Sequence, residues 1–146
     1  MQRDPVRLAD ARSWLDRALA DRRAAEHGMT AEPPLLGDVL FHCQQAIEKC
    51  FKALLTWHDI PFRKTHSLEE LGERCASIDE SLRPLLDRVV PLTEYAWKFR
   101  YPGEHDEPSL VEAAEDRRLV EEVWDAVLAR VPQEARPPSN TNRAGS

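Results

Sequence analysis

No apolar run in the sequence approaches the length of a membrane span, so no transmembrane helix is expected. The opening residues, MQRDPVRLAD, lack the apolar core a signal peptide needs. Cysteine is scarce, with three in 146 residues and no C-x-x-C pair, which points to reduced thiols and a cytoplasmic protein. Positive charge is also in deficit. Twenty Lys and Arg stand against 26 Asp and Glu, a net charge of -6. Proteins that coat nucleic-acid backbone are usually basic, because phosphate contacts dominate that affinity. Any contact with RNA is therefore expected at a local site. No internal repeat is present, and no segment alternates polar and apolar residues as a half-buried strand would.

What is present is helical periodicity. Asp4-Pro5 reads as an N-cap with proline at the first helical position. Leu8, Ala11, Leu15, Ala18 and Leu19 then step along one face, with Gly28 expected as the residue that ends the helix. From Leu36 to about Trp57 a three-and-four stripe runs through Leu36, Val39, Leu40, Cys43, Ile47, Cys50, Phe51 and Leu54. Ser67 to Glu70 and Ser109 to Glu112 both spell capping boxes, each opening a helix. A further helix is predicted from near Ser81 to about Arg100, kinked at Pro91 and ended by Pro102. These readings give an all-α antiparallel bundle of about five helices over residues 1–131. A polar, disordered tail is expected over 132–146.

Few residues invite chemistry. Cys43 and Cys50 lie seven apart, too far for one zinc on a single helix, and read as buried small hydrophobes. His42, His58 and His66 read as boundary, C-terminal and cap-entry residues. The face of Gln44, Gln45, Glu48, Lys49 and Lys52 reads as a solvated surface with i,i+4 pairs, although the paired glutamines also suit a ligand or partner helix. Arg100 and His105, in KFRYPGEH, are the remaining pair. An imidazole moves protons near neutrality. A guanidinium grips phosphate at two points and stabilises the charge that grows there. Arg-x4-His is also a spacing that recurs by chance, and Glu104, Asp106 and Glu107 crowd the same loop and repel phosphate. Spacing alone leaves both a catalytic pair and an ordinary helix end open.

Three landmarks in order resemble the HEPN domain family. DVLFHCQQAIEKCFKALL, Asp38 to Leu55, is similar to the signature second helix of that family. KTHSLEEL, Lys64 to Leu71, resembles its next landmark, and FRYPGE, Phe99 to Glu104, its third. The resemblance spans about Leu8 to Val131. It implies a small helical domain that works as a homodimer without a metal or other cofactor. In many members it implies an endoribonuclease whose motif is Arg followed by His, here Arg100 and His105. Lys98, Tyr101, Gln45 and Lys49 would then contact RNA or a nucleotide. Several members are toxins restrained by a small nucleotidyltransferase. In the RYP-containing branch, others are nucleotide-binding or adaptor partners of that enzyme. Some toxins carry a tyrosine two residues after the histidine, where the partner attaches a nucleotide. That position is Glu107 here.

Overall fold

The computed structural model describes residues 4–93, 98, 102 and 107–138. Five α-helices and two 3-10 turns lie wholly among them, and Leu92, Thr93 and Lys98 are helical besides. The helices are α1 (Pro5–Thr30), α2 (Leu36–Trp57), α3 (Leu68–Ala76), α4 (Arg83–Val89) and α5 (Leu110–Leu128). The 3-10 turns are Glu80–Leu82 and Gln133–Ala135. There is no strand among the described residues.

Asp4 caps α1 as its sequence implies, accepting from the amides of Val6 and Arg7. The helix does not stop at Gly28. It continues to Thr30, and Gly28 is a buried interior residue. The reason is packing. A Cβ at position 28 would stand 2.7 Å from Val39 Cγ2, and Val39 is itself fully buried and stiff at χ1. The missing side chain lets the end of α1 close against the start of α2, where the Leu35 amide donates to the Gly28 carbonyl at 2.9 Å. Small residues Ala11, Ala18 and Ala25 occupy the same buried stripe, so the two long helices form a close antiparallel hairpin.

The predicted α2 stripe is the middle of the core. Val39, Leu40, Cys43, Ile47, Cys50, Leu54 and Leu55 are all fully buried. The helix ends before Pro61 is reached. Asp59 takes a left-handed conformation (φ 57°), and the Ile60 amide bonds back to the Leu55 carbonyl at 2.9 Å. This is a Schellman-type stop. Asp is one of the few side chains that tolerate that backbone region.

The two capping boxes fare differently. Ser109 and Glu112 exchange both bonds at the start of α5. Ser67 accepts from the Glu70 amide, but the Glu70 carboxylate turns outward to Arg63. The Ser67 amide is instead satisfied by Thr65 Oγ1. Pro91 does more than kink the fourth helix. Helical structure stops at Val89, passes through a turn at Val90 and Pro91, and resumes at Leu92. Proline has no amide to continue the ladder, and its ring clashes with the preceding turn. α4 is tied to α5 by a two-bond ion pair, Arg88 to Glu122, at 2.9 and 2.7 Å.

The packed chain also runs past residue 131. Ala135 is fully buried, and Arg136 Nη2 donates to the Leu128 carbonyl at 2.8 Å. The first residues of the expected tail thus close over the core, while 139–146 lie outside the described residues. A chain truncated after Val131 should unfold at lower denaturant than one truncated after Pro138, which should match the full chain. Equal midpoints for the two truncations would contradict the docking of Ala135.

Candidate functional site

Three polar residues of α2 do not face solvent. Gln44 is fully buried, and Glu48 and Lys52 are 2% and 6% exposed. Burying such groups is costly unless each finds partners, and each does. Gln44 Nε2 donates to the His66 carbonyl at 3.1 Å and to Glu48 Oε1 at 3.3 Å. Gln44 Oε1 accepts from Gln45 Nε2 at 2.7 Å. Glu48 Oε2 accepts from Lys52 Nζ at 3.1 Å, and Glu48 Oε1 lies 2.9 Å from His66 Nδ1. Lys52 Nζ also sits 5.2 Å from the Trp14 ring centroid and 6.0 Å from that of Phe62, within reach of cation–π attraction. The expectation of a solvated face fails because Trp14 of α1 and the segment from Phe62 to His66 fold over it.

A second cluster lies on the α1 side. Asp21 is 8% exposed. Its two oxygens are taken by Lys49 Nζ and by His42 Nδ1, the latter at 2.9 Å. Asp21 falls in the same three-and-four register as Ala18 and Ala25. That placement, a carboxylate inside an apolar stripe, is the signal that marks it in the sequence.

The first of these networks reaches the entry to α3 through His66. His66 leads directly into α3, whose Leu68 amide donates to Thr93 Oγ1 at 2.9 Å. Leu92 is buried on one side of the Arg–His stretch and Pro108 on the other, and the Ser109 capping box follows at once. Arg100, Tyr101 and His105 lie outside the described residues. Lys98 is helical and exposed. Gln45 is partly buried against Gln44, and Lys49 is engaged by Asp21. The other expectations resolve simply. His58 caps α2 and contacts the Arg130 carbonyl at 3.2 Å. Cys43, Cys50 and Cys75 are free and buried. Burial pushes the thiols of Cys50 and Cys75 up to about 12, so they pack as neutral side chains.

Between α4, the turn at Pro91 and α5, a cavity of about 690 Å³ is lined by Arg88, Leu92, Glu112, Asp116 and Leu119, among others. Burial, with smaller contributions from Glu112 and Glu115, pushes the Asp116 carboxyl up to about 6. A carboxyl raised in the folded state favours folding while it is protonated. That contribution is whole below the unfolded value of about 4 and is lost as pH rises through about 6. Asp116→Asn, neutral throughout, should thus gain stability relative to the parent at about pH 8, and the gain should shrink toward pH 4. Denaturant midpoints that differ by the same amount at both pH values would contradict this.

The helices and the buried polar knot define a compact all-α domain, and none of its described helices is long and apolar enough to cross a membrane. The HEPN domain family model matches residues 11–131, and the chain belongs to that family. No curated protein and no solved structure matches it.

Proposed function

We propose that the protein is a metal-independent endoribonuclease that acts as a homodimer. The observation that carries this reading is Arg100-x4-His105 within a chain that belongs to the HEPN family across that stretch. The substrate supplies its own nucleophile. The 2′-oxygen attacks the adjacent phosphorus, the bond to the 5′-oxygen breaks, and a 2′,3′-cyclic phosphate and a 5′-hydroxyl remain. His105 takes the proton from the 2′-hydroxyl or delivers one to the departing oxygen. Arg100 holds the phosphate and stabilises its growing charge. Lys98, exposed at the entrance to this stretch, adds a cation, and Tyr101 lies next to Arg100 for substrate contact. A homodimer brings two such motifs to one cleft, and a small nucleotidyltransferase is the partner that would restrain them.

A second reading, a nucleotide-binding or adaptor subunit beside that nucleotidyltransferase, is favoured by Glu104, Asp106 and Glu107, which oppose phosphate in the same loop. One experiment separates the two. The nuclease should cut single-stranded RNA in EDTA and leave DNA of the same sequence intact, because DNA lacks the attacking hydroxyl. Intact RNA under those conditions supports the adaptor.

A further inference from the structure

A groove of about 660 Å³ runs between α1, α5 and the segment after Pro132. Four of its lining residues are arginines, Arg22 and Arg23 from α1, Arg117 from α5 and Arg136 from the C-terminal segment. Only two carboxylates, Glu26 and Glu121, line it with them. In a chain of net charge -6, this is a reversal of sign. One of the two carboxylates is already used. Glu121 is held by both arms of Arg22, whose guanidinium also lies 4.6 Å from the Trp124 ring centroid. That stack fixes one wall. Arg23 and Arg136 are exposed and Arg117 is partly so. No carboxylate is paired with any of the three among the described residues. Arg136 bonds only a backbone carbonyl, that of Leu128.

The rest of the lining is apolar, with Leu19, Trp124, Leu128, Pro137 and Pro138. Cationic forks beside an apolar wall match a ligand with a phosphate at one end and a flat, weakly polar body at the other. Guanidinium groups bind phosphate at two points where ammonium groups act as single charges. The volume lies within the usual range for small-ligand sites, roughly 300–1,000 Å³. We propose that this groove binds a nucleotide, its phosphate held by Arg23, Arg117 and Arg136 and its base set against the prolines and Leu128. The nucleotide is either free or part of an RNA strand.

Two probes distinguish those sources: AMP, read by calorimetry, and a short 2′-O-methyl RNA, read by fluorescence anisotropy at about 50 mM salt. The methylated strand has no free 2′-hydroxyl, so its binding is measured whether or not Arg100 and His105 cut RNA. Failure of the nuclease reading leaves this test intact. Arg23→Glu with Arg117→Glu should weaken whichever probe binds by about tenfold or more, since each lost phosphate contact also lowers the salt dependence. Arg12→Glu with Arg17→Glu makes the same change of net charge on exposed positions of α1 outside the groove. It should weaken binding less than about twofold. The milder pair Arg23→Gln and Arg117→Gln serves if the charge reversal unfolds the chain, and it should still lose several-fold. Tight binding of AMP assigns the groove to a free nucleotide, and binding of the RNA alone assigns it to a strand. Equal losses from the groove pair and the control pair would overturn the proposal. So would binding of neither probe, or displacement of the bound probe by poly-glutamate as readily as by an unlabelled copy of the same probe.

Discussion

Replacing His105 with alanine should slow cleavage of single-stranded RNA by about a hundredfold to ten-thousandfold, the usual worth of a positioned acid or base. Arg100→Ala should do comparable damage, because the fixed charge on the phosphate is lost. Arg100→Lys should recover little, since an ammonium cannot reproduce the two-point grip of the guanidinium. Neither position belongs to the apolar stripes that the sequence assigns to the core. Circular dichroism and denaturant midpoints of the variants should therefore match the parent. His58→Ala is the control. That imidazole, at the end of α2, contacts the Arg130 carbonyl just past α5, and its loss should leave the rate unchanged. Similar losses from His58→Ala and His105→Ala would point to a general effect on the fold.

The second large effect concerns stability. Glu48→Ala removes the carboxylate that Lys52, Gln44 and His66 share. The Lys52 ammonium then stays buried, with only the faces of Trp14 and Phe62 beside it. Breaking a buried ion pair from one side costs about 3–5 kcal/mol, a large share of the 5–15 kcal/mol that holds a typical domain together. Removing both charges should cost less than removing one. Glu48→Ala combined with Lys52→Met should be more stable than Glu48→Ala alone, because methionine fills the space between the two rings without a charge to satisfy. Urea unfolding of the two single variants and the double variant checks this cycle. A double variant less stable than both singles would show that the ion pair is not the main role of these residues.

Much of this domain can be read locally, and the failures share a cause. The α2 core stripe, the Asp4 cap and the Ser109 capping box depend on residues a few positions apart, and each is found in the structure. Gly28 was expected to end a helix because glycine usually does so. Its use here is to admit Val39, a residue of the next helix, and no local pattern shows that approach. The α2 polar face was expected to meet water because Glu48 and Lys52 stand at the i,i+4 spacing of surface pairs. Their burial comes from Trp14, 38 positions upstream of Lys52 in the sequence numbering, and from the segment ending at His66. Glu70 pairs with Arg63 instead of closing its capping box, since the guanidinium carries a charge that the backbone amide lacks. For the candidate site the position is reversed. Arg100 and His105 are plain in the sequence and lie outside the described residues. The structure bears on what flanks them: Thr93 pinned to the start of α3 and Pro108 buried before α5.

The most direct measurement is of the RNA ends left after incubation in EDTA with the parent protein and with the His105→Ala variant, prepared in parallel. The account predicts new 2′,3′-cyclic phosphate and 5′-hydroxyl ends from the parent and their near absence from the variant over the same time. The same ends appearing at the same rate from His105→Ala would contradict it, and so would RNA that the parent leaves whole.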